Sequence, residues 1–103
     1  MSDKHSLGVV YYDITSGGYN MAFKFEFIEQ TNGTIHIYIL KQPDYASGQA
    51  TDDHSTHRHG LGSNRPHICY APKPTDISNA IKIAEGWAQR TAYYIKHKEW
   101  LNA

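Results

Sequence analysis

The chain has 103 residues, which suits one small domain with a single hydrophobic core, and we expect residues 1–103 to form that domain. Lys and Arg together number 10, as do Asp and Glu, and this balance argues against nucleic acid and anionic membranes as partners. The single cysteine excludes an internal disulfide, and no apolar run approaches the roughly 20 residues of a membrane span. With no signal peptide at the N-terminus, we expect a cytoplasmic protein.

Three β-strands are predicted in the first 41 residues. Residues 7–15 are rich in β-branched and aromatic side chains, which favour strands. After the turn SGG, residues 19–30 alternate, with phenylalanines on one face and charged residues on the other. A turn TNGT then leads into residues 34–41, where isoleucines alternate with more polar side chains. The pattern predicts an antiparallel meander.

The turn between the second and third strands admits two registers. A two-residue loop at Asn32-Gly33 would pair Phe27 with Tyr38, whereas a three-residue loop with Gly33 in the left-handed region would pair Phe27 with Ile37. A slip of one residue moves every side chain to the other face of the sheet. We favour the second register because it gathers six large apolar side chains on one face. They are Phe23, Phe25, Phe27, Ile35, Ile37 and Ile39.

A long polar segment precedes the predicted helix. Residues 43–66 form a His-rich loop, and loops beyond about 12–15 residues are usually functional or disordered. Residues 67–71 read as a short fourth strand. Apolar positions at 3.6-residue spacing then predict an amphipathic helix over residues 76–98, with Thr75 as its N-cap. Gly86 lies inside this helix, and we expect it to permit close packing against a strand.

The predicted fold is α+β. It has a three- to four-stranded antiparallel sheet, a meander, with one long C-terminal helix packed on one face. One helix cannot cover both faces of a sheet, so the other face must be polar, or be covered by the long loop, a second copy or a partner. That second face is predicted to carry Lys24, Glu26, Ile28, His36, Tyr38 and Leu40.

Residues 52–69, DDHSTHRHGLGSNRPHIC, hold four histidines and the cysteine. His57 and His59 are two apart, as are His67 and Cys69, and such residues point the same way on extended chain. If the two segments pair as adjacent strands, three imidazoles and a thiolate would converge, a ligand set that suits zinc. The alternative is a solvated loop without metal or any other cofactor. The other histidines, which we expect to be isolated, are His5, His36 and His97.

RPHICYAPKPT followed by ISNAIKIAEGWAQRTAYYI resembles the stretch around the active cysteine in bacterial proteins related to ubiquitin-conjugating (E2) enzymes. The resemblance covers residues 34–100. It implies an antiparallel meander, a short strand ending in Cys69 and a helix, with Cys69 as a thioester nucleophile for a ubiquitin-like protein and His57 or His59 nearby. The chain departs from the E2 pattern because it has no His-Pro-Asn tripeptide, so Asn64 is only a candidate for the oxyanion-stabilising residue.

The chemistry of Cys69 is open between two interpretations. A neighbouring imidazolium would lower the pKa of the thiol and activate it, making the protein a cysteine thioester transferase. Alternatively, the cysteine is a buried and inert small hydrophobe.

A protein-binding surface is the interpretation we favour. The His-rich loop adds basic residues to a small scaffold, and the end of the helix carries aromatic and basic residues outside its apolar stripe. The function predicted is that of an adaptor or inhibitor, for which a phage or mobile-element origin would suit. It binds another protein and can form a homodimer through the uncovered sheet face or the helix. The candidate binding residues are His54, Arg58, Arg65, Arg90, Tyr93 and Trp100.

Overall fold

Five antiparallel strands and one helix form the part of the chain that the computed structural model describes. That part is residues 5–16, 19–45, 56, 58–59, 66–68, 70 and 72–97, with backbone alone at residues 5, 16, 19 and 59. The strands are β1 (His5–Ser16), β2 (Tyr19–Glu29), β3 (Ile35–Lys41), β4 (Arg58–His59) and β5 (His67–Ile68), and the helix is α1 (Ile77–His97). The order in the sheet is β1-β2-β3-β5-β4. The predicted α+β class is confirmed.

The register between β2 and β3 is the second of the two predicted. Phe27 pairs with Ile37 and Phe25 with Ile39. Gly33 has a φ of 86°, in the left-handed region that glycine adopts without steric cost. The side chain of Asn32 closes the turn by accepting hydrogen bonds from the backbone N–H and the hydroxyl of Thr34, at 3.1 and 2.7 Å.

The hydrophobic core lies between the sheet and α1. The six apolar residues expected on one face are all buried beneath the helix. Trp87 of α1 sits edge-on against Phe23 and Phe25, with ring centroids 6.1 and 6.0 Å away. α1 therefore covers one face of the sheet, as predicted. No helix in the described ranges combines the length and apolarity needed to cross a membrane.

The N-terminus of α1 is capped by Asp76. Its carboxylate accepts a hydrogen bond from the backbone N–H of Asn79 at 2.9 Å. The prediction of Thr75 as the cap was wrong by one residue, because the helix begins at Ile77 and the residue immediately before it occupies the N-cap position. A carboxylate there also stabilises the helix dipole.

Gly86 does not lie against any of the described strands. Among the described residues, a Cβ placed on it would meet only the guanidinium Nη1 of Arg90, one turn along the same helix, at 3.2 Å. The prediction that this glycine permits close packing with the sheet was wrong. The bulky residue that reaches the sheet here is its neighbour Trp87.

Candidate functional site

On the face of the sheet away from α1, a row of directly opposite residues runs across β1, β2, β3 and β5, and the backbone pairing continues it to β4. Val9 of β1 pairs with Glu26 of β2, and Glu26 pairs with Tyr38 of β3. Tyr38 pairs with His67 of β5, and His67 pairs with His59 of β4. Strands lie about 4.8 Å apart, so the row is about 19 Å wide. We call this face of the sheet the open face.

Three half-buried rings pack together near the centre of the open face. The rings of His36 and His67 are stacked, with centroids 5.0 Å apart and planes inclined by 8°. Tyr38 stands across both, with centroids 5.9 Å from His36 and 5.5 Å from His67. Its hydroxyl oxygen lies 3.5 Å from Nδ1 of His36, at the limit of a hydrogen bond whose direction depends on the imidazole tautomer. We call these three residues the ring cluster.

His36 was missed as a site residue by the sequence reasoning. It was expected to be isolated, and that prediction was wrong because its ring stacks on His67. The alternation of β3 does place it with Tyr38 on the face opposite the buried isoleucines. The sequence carries no signal for its partner, since His67 follows 31 positions later, beyond the long polar segment.

The β1 side of the open face is apolar, aromatic and exposed. Tyr11 has 69% of its surface accessible and Val9 43%. Lys24, paired with Tyr11 in the ladder, holds its ammonium 5.2 Å from the centroid of the tyrosine ring, a cation–π contact. The open face therefore combines an exposed aromatic edge with a partly buried ring cluster.

The predicted metal ligands are brought together only in part. The pairing of β4 with β5, on which the zinc prediction depended, is present and puts His59 opposite His67. His57 and Cys69 lie outside the described residues, and at His59 the backbone alone is described. Within the described ranges no group of three or more His, Cys, Asp or Glu side chains could hold a metal ion. The four-ligand zinc site and the nucleophilic Cys69 stay predictions.

Arg58 was predicted to be a surface residue that contacts a partner, but it is buried and its guanidinium bonds to other residues of the same chain. The residue is only 8% exposed. Its Nε donates to Oγ1 of Thr56 at 2.7 Å, and its Nη1 donates to Oε1 of Gln42 at 2.9 Å. The guanidinium also lies 5.0 Å from the ring centroid of Tyr45. These contacts give Arg58 a role in joining the polar segment to the end of β3.

A second buried contact fixes the same segment to α1. The indole N–H of Trp87 donates to the backbone carbonyl of Thr56 at 3.1 Å, across 31 positions of sequence. Tyr45 packs edge-on against Tyr94, at 5.8 Å between centroids.

The Tyr45 hydroxyl is buried, and although Gln42 and Thr56 lie near it, it makes no hydrogen bond within the described part of the chain. Burial raises the pKa of this phenol above its usual 10.0.

The remaining candidate binding residues divide between α1 and the undescribed part of the chain. His54, Arg65 and Trp100 lie outside the described residues. Arg90 and Tyr93 are half-buried on α1, and the Tyr93 ring lies 4.2 Å from that of His97. Tyr93 also lines a groove of about 150 Å³, which is below the roughly 300 Å³ at which small-molecule pockets begin. The groove is lined by Ile14, Met21, Gln89, Ala92, Tyr93, Lys96 and His97.

No protein-family model, curated protein or solved structure matches this chain. The resemblance to E2-like domains therefore stays a prediction, and the chemistry of the site has to be argued from its own residues. Across the open face those residues offer flat rings, exposed apolar surface and side chains of both charges.

Proposed function

We propose that the protein is a protein-binding module, an adaptor or inhibitor, and that the open face of its sheet is the binding surface. The observation that supports this most is the row from Val9 to His67, which crosses the sheet on the side that α1 leaves uncovered. A sheet with one covered face must place its other face in water or against a partner. Tyr11, exposed over 69% of its surface, is the kind of side chain that interfaces concentrate.

The ring cluster suits the centre of such an interface. His36, Tyr38 and His67 are already packed against one another, so little side-chain freedom remains to be lost when a partner covers them. Stacked imidazoles present a flat surface on which an apolar or aromatic side chain of a partner can lie. The more exposed Val9 and Tyr11 would then form the rim on the β1 side.

Tyr38→Ala tests the proposal, because it removes the middle of the row while the core face of β3 stays intact. Lys82→Ala is the control, because Lys82 is exposed on α1, on the other side of the molecule from the open face. A partner would first be captured by the wild-type protein from a lysate of its source and identified. Its affinity for purified variants would then be measured by titration calorimetry.

We expect Tyr38→Ala to weaken binding by about tenfold or more, as truncation of a central interface residue typically costs over 1 kcal/mol. Lys82→Ala should stay within about twofold of wild type. If the two substitutions weaken binding equally, or neither does, the partner does not use the open face and the proposal fails.

The order of elements supports a second candidate, the E2-like thioester carrier. An antiparallel meander is followed by the short strand β5, which ends one residue before Cys69, and then by α1. This is the order that the resemblance implies. In that function the Cys69 thiolate would attack the thioester of an activated ubiquitin-like protein, forming a new thioester and releasing the donor thiol.

Cys69→Ser separates the two candidates. A protein-binding module should keep its partner affinity after this substitution, whereas a thioester carrier should lose transfer altogether and keep its fold. Tyr38→Ala should weaken partner binding and leave any thioester transfer intact. The zinc prediction has its own measurement, native mass spectrometry of protein purified without chelator: a bound zinc mass that His67→Ala removes would support it, and a bare wild-type chain would contradict it.

A further inference from the structure

β1 is a long strand at the edge of the sheet. It has 12 residues and pairs with β2 alone among the described strands, so its outer row of backbone N–H and C=O groups has no strand partner there. At about 3.4 Å per residue it spans about 41 Å, close to the 43 Å longest extent of the molecule. A free edge of this length is a template for pairing with another strand.

β1 has few of the features that usually prevent an edge strand from pairing with another chain. It contains no proline, lysine or arginine, and Asp13 is its only carboxylate. One bulge interrupts the pairing with β2 between Ser6 and Gly8, near the N-terminal end. From Gly8 to Ser16 the ladder is regular, so this segment can accept a further strand along its whole length.

We infer that β1 pairs with β1 of a second copy of this chain, antiparallel and about a two-fold axis at Tyr12. That position is the midpoint of the regular segment from Gly8 to Ser16, so pairing centred on it uses every regular position in both copies. The result is a C2 dimer with one continuous sheet, in which both helices lie on the same face.

The side chains that this register brings together are complementary on both faces. On the face under α1, Val10 of one copy meets Ile14 of the other, and both already pack against the core. On the open face, Tyr11 of one copy meets Asp13 of the other. Lys24 already holds its ammonium over the Tyr11 ring, so Asp13 of the second copy comes within its reach. The equal numbers of acidic and basic residues add no net repulsion between copies.

A charge reversal tests this arrangement at the predicted contact. Asp13→Lys would place an ammonium opposite Lys24 of the other copy twice in each dimer, and we expect the dimer dissociation constant to rise about tenfold or more. Combining Asp13→Lys with Lys24→Asp exchanges the two charges and should restore the wild-type constant. Asp44→Lys makes the same change of charge at an exposed residue outside the sheet and should have no effect. Sedimentation velocity over a concentration series measures all four proteins.

Hydrogen exchange supplies a second readout, which reports on the backbone. In the proposed dimer, β1 amides become more protected as protein concentration rises, and Tyr38→Ala on the open face leaves that protection unchanged. A wild-type chain that stays monomeric to about 100 µM would overturn the inference, since even a weak specific dimer should have a dissociation constant below this concentration. So would a dimer that Asp13→Lys does not weaken. Neither outcome bears on the binding of another protein by the open face.

Discussion

Replacement of Trp87 by phenylalanine tests whether the polar segment is fixed to the helix as the structure indicates. The indole is 3% exposed, its N–H donates to the Thr56 carbonyl, and its edge packs against Phe23 and Phe25. Phenylalanine keeps an aromatic ring but removes the N–H that donates to this buried carbonyl, at a cost of about 1–3 kcal/mol. The volume lost from the core adds about 1 kcal/mol.

We therefore expect Trp87→Phe to lower the free energy of unfolding by about 2–4 kcal/mol, a large share of the roughly 5–15 kcal/mol typical of a domain. Urea unfolding followed by far-UV circular dichroism measures the change without depending on the fluorescence of the residue removed. Lys82→Ala, on the exposed side of the same helix, should stay within about 0.5 kcal/mol of wild type. A loss below about 1 kcal/mol for Trp87→Phe would refute the reasoning, because the hydrogen bond to Thr56 would then contribute little.

Three further predictions concern other positions. Gly86→Ala should stabilise the protein by up to about 1 kcal/mol in urea unfolding, since among the described residues a Cβ there meets only the flexible end of Arg90, whereas Gly33→Ala should destabilise it because of the positive φ. Asp76→Ala should cost about 1 kcal/mol in thermal unfolding through loss of the N-cap, and Asp76→Asn should restore most of it. The raised pKa of Tyr45 predicts that this residue's contribution to stability is constant below about pH 10 and falls as pH rises toward the folded-state pKa, because the unfolded chain loses the phenolic proton first. Tyr45→Phe should remove this alkaline loss and cost little at pH 7, as the buried hydroxyl has no hydrogen bond within the described residues; a large cost at pH 7 would contradict that placement.

Most of the fold could be predicted from local sequence patterns. The alternation of Phe23, Phe25 and Phe27 identifies a strand with one buried face, and the TNGT turn admits only two registers. The choice between them followed from counting the apolar residues that each would bury. The 3.6-residue spacing identified α1 to within one residue at each end, since periodicity and capping are both properties of neighbouring positions.

Only part of the candidate site could be predicted from the sequence. That residues 57–59 and 67–69 would pair was a conditional prediction, and the structure bears it out at His59 and His67. Arg58, between two histidines in sequence, looked like a surface cation. Its neighbours in space, Gln42 and Tyr45, lie in the residues that follow β3. No local sequence pattern indicates that Arg58 contacts them.

By itself the sequence determined which stretches are strands or helix and which face of each is apolar, because both depend on side chains a few residues apart. Only the tertiary structure decided that β5 lies between β3 and β4, and hence that His36 stacks on His67. That choice depends on how the chain closes across the long polar segment. The contacts that join this segment to the rest of the fold, among them Arg58 with Gln42 and Trp87 with Thr56, connect residues distant in sequence, and no single motif encodes them.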